Sequence, residues 1–306
     1  ALEQAASGEP ATQAEAPAGG EIALWVHPAG SEQGRSVLDA LASDLDRSPA
    51  IIADGHHRYE AAGDYVEERA RAGELRPDGS AAEPFALAGM VPLEGGGLSI
   101  LPVHRIVGPA GREVREALRF SLYEHFIPLS EPELPPPLRD LCRRGEHDAL
   151  LAAEAVAGLR KALNRTVLGV WWRTGQVEWL AVPAKASRRG SQPRGDPPGA
   201  AGDISILHRG ALHGWQPAVD AQGASPGGTA GRWVRYTSYP REAARAVDEG
   251  DAAAAILLAP VELSEVQEVA LAGKKMPEKS TYFYPKLTSG LVLHDLRLPV
   301  QTWPPG

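Results

Sequence analysis

Residues 51–60 read IIADGHHRYE, and the rest of the chain is interpreted outward from this stretch. Three apolar residues lead into Asp54 and Gly55, which predicts a buried strand that ends in a tight turn. Asp54 stands at the predicted N-cap of a following helix, where its carboxylate can accept the backbone N–H of His57. The helix itself is predicted from apolar residues that recur at spacings of three and four: Tyr59, Ala62, Val66 and Ala70.

The first turn of this helix carries His56, His57 and Arg58. A helix N-terminus is the positive end of the helix dipole, so cationic side chains are unfavourable there. Local rules of this kind are most often broken at functional sites. Cationic side chains beside unpaired backbone N–H groups suit an anion, most simply a phosphate. The stretch is therefore predicted to be a phosphate site.

Two other interpretations of the paired histidines stay open. A zinc site is poorly supported, because adjacent helical residues point about 100° apart and no cysteine or HExxH spacing accompanies them. The alternative is a pair of structural histidines whose nitrogens are satisfied by hydrogen bonds within the fold.

Composition limits the classes of protein that remain. The chain has 306 residues, 43% hydrophobic and 23% charged, which is typical of a globular protein. Its formal charge of −8 argues against a nucleic-acid partner. Cys142 is the only cysteine, which excludes an intrachain disulfide and predicts a structural thiol. No apolar run is long enough to cross a membrane and no signal peptide is visible, so we expect a cytoplasmic protein without a membrane partner.

The pattern of elements predicts an α/β protein of mixed α and β type, in three segments. Residues 1–20 are predicted to be a disordered leader, and residues 21–110 one α/β unit. Within that unit, the apolar run 84–92 is predicted to be a buried strand in a hairpin with residues 98–101. Residues 111–306 are predicted to be a mixed α+β region with a flexible loop at 184–202 and a last strand at 290–294.

Lysine is scarce, and four of the six lysines lie near the C-terminus: Lys274, Lys275, Lys279 and Lys286. Lys279, Ser280 and Thr281 supply an ammonium and two hydroxyls, which can bind phosphate oxygens or a magnesium ion. The segment is not a P-loop, because the GxxxxGK[ST] spacing is absent. A structural loop whose neighbouring aromatic side chains simply pack remains the alternative. A second His-Arg pair, His104 and Arg105, stands at a predicted strand end.

Four separated motifs resemble one family when they are taken together. They are IIADGHHRYEAAGDY at 51–65, LPVHRIV at 101–107, DISILH at 203–208 and MPEKSTYFYPKLTSGLVL at 276–293. The chain resembles, over roughly residues 20–294, the bacterial and archaeal family called domain of unknown function 1015 (DUF1015). Its better-understood members resemble ATP-dependent free L-serine kinases, and its DGHHR motif is shared with the ParB/sulfiredoxin-like superfamily.

The resemblance implies a ParB/sulfiredoxin-like unit over residues 21–110, followed by the mixed α+β region over 111–306. It also implies an enzyme that phosphorylates the hydroxyl of free L-serine, or of a similar small molecule, from ATP or ADP with magnesium. Phosphoryl transfer depends mainly on positioning and electrostatics, which agrees with a cationic helix start.

By the same resemblance, the DGHHR residues form the phosphate and magnesium end of a kinase site. Asp54 would hold or orient the metal-phosphate group, next to Gly55, while His56, His57 and Arg58 stabilise the transferred phosphoryl. The remaining family positions are expected ligand contacts: His104, Arg105, Lys279, Ser280 and Thr281.

The chain departs from the family pattern upstream of the strand predicted at Glu21. Related serine kinases place an acidic general base well before the DGHHR motif, and the acidic residues left here, such as Glu21 or Asp44, have no motif around them. Two alternatives follow: a ParB-like nucleotide-binding regulatory protein without kinase turnover, or an inactive family member. A nuclease is a weaker third possibility, because the chain is acidic and lacks a basic stripe.

Overall fold

A computed structural model describes most of the chain. Contacts divide it into two compact units, unit 1 (residues 1–92 and 286–306) and unit 2 (residues 93–285). Helices and antiparallel sheets are both present, so the mixed α and β fold class is confirmed. The residues described are 5–6, 8–15, 20–48, 50–76, 80–93, 97–136, 138–139, 148–172, 176–183, 204–213, 215, 233–274, 276–277 and 279–299.

Unit 1 contains a small sheet and two helices among its described residues. Strand β1 (Thr12–Glu15) pairs antiparallel with β2 (Glu21–Leu24), although β1 lies inside the predicted leader. Helix α1 spans Glu32–Leu45, and the hydroxyl of its N-cap, Ser31, accepts the N–H of Gly34 at 2.9 Å. Helix α2 spans His56–Arg71, where the apolar spacing predicts a helix.

The C-terminal segment of unit 1 folds back onto Arg76, Ala82 and Gly89. Arg76 Nη2 donates to the carbonyl of Arg297 at 2.6 Å. Leu287 lies against Gly89, where a Cβ would approach Leu287 Cδ1 to 2.2 Å, so a larger residue at position 89 would require the exposed Leu287 side chain to move. This path places Lys286, the first residue of the segment, within reach of the start of α2.

Unit 2 is built on a six-stranded antiparallel sheet in the order β5-β7-β6-β9-β4-β8, with β3 and β10 forming a separate pair. A 3₁₀ turn at Glu131–Glu133 and a π-helical segment at Ile206–Leu212 also occur. The strands are β3 (Ser99–Leu101), β4 (His104–Val107), β5 (Ile127–Pro128), β6 (Val167–Trp172), β7 (Val177–Ala181), β8 (Val234–Thr237), β9 (Ala254–Leu257) and β10 (Tyr282–Tyr284). The helices are α3 (Arg112–Tyr123), α4 (Ala149–Leu163), α5 (Pro240–Asp248) and α6 (Leu263–Leu271).

The core of unit 2 lies where α4 and α5 pack on the sheet. Helix α4 begins at Asp148, whose side chain accepts the N–H groups of Leu150 and Leu151, and α5 has Pro240 in its first turn. Small apolar residues at helical spacing allow close approach to the strands. Those buried in this core include Ala152, Val156, Leu159, Ala243, Ala244, Val247, Ala255 and Leu257.

Three strand predictions are wrong. Residues 51–53 and 290–294 form no strand, and Ile52 is exposed. The run 84–92 is irregular and largely exposed, and its predicted partner, β3, pairs instead with β10. A strand needs a partner for its backbone N–H and C=O groups. The partner of β3 is β10, where Phe283 pairs with Ile100 from 183 residues earlier in the chain.

The predicted division at residue 110 differs from the two units of the structure. Strand β4, which falls within the predicted segment 21–110, is a central strand of unit 2 between β9 and β8. A ParB/sulfiredoxin-like unit over residues 21–110 therefore stays a prediction. Among the described residues, no helix is both long and apolar enough to cross a membrane. The predicted loop at 184–202 and Cys142 lie outside the described residues.

Candidate functional site

The predicted site residues fall into two groups, one in each unit. Residues 54–58, here called the DGHHR turn, lie in unit 1. Residues 279–281, here called the KST loop, lie in unit 2 with His104 and Arg105. Each group is described within its own unit.

The DGHHR turn reverses the chain at Gly55. Gly55 is the N-cap of α2 with φ 92° and ψ 22°, a left-handed conformation that glycine adopts most readily. Its Cα also faces Arg58, because a Cβ built there would lie 3.1 Å from Arg58 Nη2. The predicted N-cap role of Asp54 is wrong: α2 begins one residue later, and no side chain of the described residues caps it.

The carboxylate of Asp54 contacts two cations instead. Lys286 Nζ donates to Asp54 Oδ2 at 2.8 Å, and Arg58 Nη2 lies 3.4 Å from the same oxygen. The hydrogen bond from Lys286 is the main cause that holds the pKa of Asp54 below its ordinary value. Asp54 is therefore ionised at neutral pH, and its side chain remains 54% exposed.

The side chains of the first turn of α2 reach solvent. Arg58 is 81% exposed and His57 is 90% exposed, while His56 is partly buried. His57 Nδ1 lies 3.4 Å from Glu60 Oε2, a contact that becomes an ion pair when the imidazole is protonated. The first turn contains no acidic residue. The exposed guanidinium and imidazole can thus meet an anion at the positive end of the helix.

The substitution Gly55→Ala is expected to lower the free energy of unfolding by about 1 kcal/mol, because alanine is strained at positive φ. Gly63→Ala is the matched control, since Gly63 lies within α2 and a Cβ there meets nothing within 4 Å. It should raise the free energy of unfolding by about 0.5–1 kcal/mol. Urea denaturation of both variants tests this, and changes of the same sign would contradict the geometry of the turn.

In unit 2, Arg105 lies in the core with 0% of its surface exposed. Its Nε donates to His208 Nε2 at 2.9 Å, its Nη2 donates to the carbonyl of Lys279 at 3.0 Å, and its Nη1 donates to the carbonyl of Val103. The guanidinium also lies 5.1 Å from the ring centroid of Tyr236. Burial lowers the pKa of Arg105 to about 10, so the group keeps its charge at neutral pH.

His104 is also fully buried, next to Arg105 on β4. Its Nδ1 accepts the backbone N–H of Leu258 at 3.2 Å, which places the proton on Nε2. Among the described residues, no group accepts a hydrogen bond from that Nε2. Burial, and then the charge of Arg105, lowers the pKa of His104 to about 4, so the ring is neutral.

The KST loop precedes β10, whose Tyr282 pairs with Leu101 of β3. Lys279 has φ 56°, which is unusual for a residue with a side chain, and its side chain is exposed. Ser280 is buried and its hydroxyl donates to the carbonyl of Pro277, while Thr281 is partly buried. Lys279 is thus the residue of this loop best placed to meet a ligand.

These motifs belong to a known family. The model of the family described as protein of unknown function (DUF1015) matches residues 1–185, more than half of the chain. The chain belongs to the DUF1015 family. The matched part of this DUF1015 protein contains the DGHHR turn, His104 and Arg105, while the KST loop and His208 lie beyond it.

Other comparisons are weaker. No curated protein matches the chain. A mutant free serine kinase in complex with AMP aligns with a TM-score of 0.37 and 13% identity, over 81% of this chain and 80% of that chain. A second mutant free serine kinase, in complex with ADP, aligns with a TM-score of 0.35 and 13% identity over the same shares.

The donor set at Asp54 allows a test of the magnesium prediction. Within the described part of the chain, no group of three or more His, Cys, Asp or Glu residues could hold a metal ion. Magnesium, however, commonly binds through one or two carboxylates, several waters and the phosphates of a substrate. Asp54 could therefore supply one carboxylate ligand to a magnesium ion that binds together with a nucleotide. The described residues do not supply a complete set of protein ligands for the ion.

Two contacts of the site were missed in the sequence. Lys286 was counted in the lysine cluster, but its pairing with Asp54 joins residues 232 positions apart. His208 lies in the DISILH segment, yet its hydrogen bond with Arg105 joins residues 103 positions apart. In the sequence, the lysine cluster and the DISILH motif indicate that Lys286 and His208 are of interest. Neither feature indicates which residue each side chain contacts.

Proposed function

We propose that this protein is a small-molecule kinase that phosphorylates the hydroxyl of free L-serine, or of a similar compound, from a nucleotide with magnesium. The observation that carries the proposal is the DGHHR turn. It combines an exposed Arg58, two imidazoles and the positive end of α2 with an ionised Asp54. Phosphoryl transfer needs this kind of positioned charge more than it needs covalent chemistry.

In this proposal, Arg58, His56 and His57 bind and stabilise the phosphoryl group. Gly55 has φ 92°, and because it has no Cβ the Arg58 guanidinium can lie beside the turn. Asp54 would hold the magnesium ion, which when bound neutralises charge on the phosphate oxygens. Lys286 holds the Asp54 carboxylate in place at 2.8 Å.

The KST loop is proposed to contact the same class of ligand through Lys279, with Ser280 and Thr281 shaping the loop. Ser280 is buried and bonded to Pro277, so its hydroxyl supports the loop conformation. The family motifs also place His104 and Arg105 among the expected ligand contacts. Both side chains are fully buried in the structure, so a direct contact would require the core around β4 to open.

The kinase reaction also needs a general base. Asp44 is exposed on α1 and lies 2.9 Å from Arg47 Nη2, and Glu21 is exposed at the first residue of β2. Neither acid belongs to the DGHHR turn. This observation favours the second candidate function, a ParB-like regulatory protein that binds a nucleotide without kinase turnover.

The decisive experiment is incubation with ATP, magnesium and L-serine, followed by detection of O-phosphoserine by ³¹P NMR and mass spectrometry. Product formation supports the kinase. Nucleotide binding by calorimetry without product supports the regulatory protein or an inactive family member. If no nucleotide binds, both functions are wrong.

Replacing the exposed cations separates binding from folding. Arg58→Ala and Lys279→Ala are each expected to weaken ATP binding by about tenfold, because each removes one charged contact to phosphate. Each should change the free energy of unfolding by less than about 1 kcal/mol, because both side chains are exposed. Arg112→Ala, on the exposed face of α3, is the control and should leave ATP affinity unchanged. A large loss of stability in the first two variants would favour structural roles instead.

A further inference from the structure

Arg105 occupies an unusual position for a residue of a phosphate-binding motif. It is completely buried, and among the described residues burial and Tyr236, with no carboxylate, determine its pKa. Arginine is rarely buried unless it is paired, and an uncompensated buried charge is costly. Its N–H groups are directed to three neutral acceptors, one of which is the backbone of the KST loop.

We infer that Arg105 is a positioning residue, which fixes the backbone of the KST loop while His208 and Tyr236 hold its guanidinium in orientation. The inference deepens the proposed function and rests on it, because it concerns how the loop presents Lys279 to a phosphate. Arg105 would then act on the ligand through the KST loop and not by direct contact.

The first support is the contact with Lys279. Arg105 Nη2 donates to the Lys279 carbonyl at 3.0 Å, at the one described residue of this loop with positive φ. A side chain with a Cβ adopts that conformation only where its surroundings impose it. The charged donor from β4 and the Ser280 bond to Pro277 both act on this turn. Without the guanidinium, the loop is expected to relax toward ordinary backbone conformations.

The second support is the way in which Arg105 is held. Tyr236 lies directly opposite Arg105 in the β4–β8 register, and its ring lies beneath the guanidinium. The ring of His208 is nearly parallel to that of Tyr236, with centroids 6.2 Å apart and an interplanar angle of 8°. Since His208 Nε2 accepts from Arg105, its ring must be neutral with the proton on Nδ1.

The third support is the element that carries His208. It lies on the π-helical segment Ile206–Leu212, and such segments are frequent at functional sites. The segment is anchored independently, because Ser121 Oγ donates to the Ala211 carbonyl at 2.6 Å. A Cβ on Gly210 would lie 3.0 Å from His125, so the segment packs closely on its neighbours. His208 is therefore a fixed acceptor, against which Arg105 can be oriented.

A pair of substitutions at His208 tests the inference without emptying the Arg105 site. His208→Gln replaces the acceptor nitrogen with an amide oxygen that can accept from Arg105 Nε. His208→Phe keeps a flat ring and removes the acceptor. Hydrogen exchange over residues 276–284, followed by mass spectrometry, reports on the loop directly. Isothermal titration with ATP and magnesium reports on binding.

We expect exchange in 276–284 to become about tenfold faster in His208→Phe, since a hydrogen bond to a charged group has been lost. ATP binding should weaken by about the same factor. His208→Gln should restore both properties to near wild-type values. Arg105→Lys, which keeps the charge and loses the planar fork, should resemble His208→Phe.

Arg160→Gln is the control for lost stability alone. Arg160 is a largely buried arginine of unit 2 that pairs with Glu265 at 2.6 Å. This variant should lose stability and leave both exchange over 276–284 and ATP affinity unchanged.

The outcomes separate this inference from the proposed function. Unchanged loop exchange in His208→Phe and Arg105→Lys would overturn the positioning role, whatever the protein binds. Faster loop exchange in a protein whose wild type binds no ATP would support the positioning role and refute the proposed function. Equal losses in the Phe and Gln variants would also overturn it, because the acceptor would then not matter.

Discussion

Acidification from pH 7 to pH 4.5 is expected to destabilise the folded protein strongly, through two imidazoles: that of His104, which is fully buried, and that of His208, which is partly buried. His104 and His208 each have a pKa of about 4 in the folded protein against an ordinary value of 6.5, first because of burial and then because of Arg105. Well above pH 6.5, neither the folded nor the unfolded state binds a proton at these rings. Between pH 6.5 and pH 4 the imidazoles are protonated in the unfolded state and mostly neutral in the folded state. The free energy of unfolding therefore falls as the pH falls.

The expected loss for His104 is about 3 kcal/mol at pH 4 relative to pH 7. His208 should contribute less, because it is partly exposed and solvent screens its charge. Together they represent a large part of the about 5–15 kcal/mol that stabilises a typical protein.

Two variants isolate these imidazoles from the carboxylates that also titrate in acid. In His104→Asn, the side-chain oxygen can replace Nδ1 as the acceptor for the Leu258 N–H, and His208→Gln keeps the acceptor for Arg105. The slope of the free energy of unfolding against pH counts the protons taken up on unfolding. In each variant this number should fall by up to about one between pH 6.5 and pH 4.5. Urea denaturation at several pH values measures this slope. Slopes equal to that of the wild type would show that these two imidazoles do not control the pH dependence of stability.

The elements that the sequence predicts correctly are those with local signals. Helix α2 follows from the apolar residues that recur at spacings of three and four between Tyr59 and Ala70. The run 84–92 misled because apolar content alone does not supply a pairing partner. Strand β3, expected beside it, pairs with β10 from the other end of the chain. Sheet order of this kind depends on non-local pairing that a single sequence does not encode in any short window.

The candidate site shows the same limit. The residue types that suit a phosphate were visible in Asp-Gly-His-His-Arg, because they break the helix-dipole rule. The sequence does not show which residues these side chains contact. Arg105 and Lys279 differ completely in burial, although the sequence predicts that both cations contact a ligand. Burial follows from strand order: β4 lies between β9 and β8, so even its charged residues are enclosed.

The substitution Asp54→Asn is expected to change nucleotide affinity in opposite directions with and without magnesium. The Asp54 carboxylate lies 2.8 Å from Lys286 and 3.4 Å from Arg58, and it partly neutralises both cations. Its removal leaves their positive charge for a phosphate, so ATP in the presence of EDTA should bind about tenfold more tightly. The same change removes the single carboxylate proposed to hold magnesium, so the magnesium complex of ATP should bind about tenfold more weakly.

Lys286→Met and Asp64→Asn complete this experiment. Lys286→Met removes a cation and should weaken ATP binding in EDTA, opposite in sign to Asp54→Asn. Asp64→Asn makes the same charge change on an exposed position of α2 outside the DGHHR turn and should alter neither affinity. All three should change the free energy of unfolding by less than about 1 kcal/mol, because the charges are substantially exposed. If Asp54→Asn weakened binding equally with and without magnesium, Asp54 would be a phosphate-site scaffold and not a metal ligand, since only a metal ligand makes the loss depend on the ion.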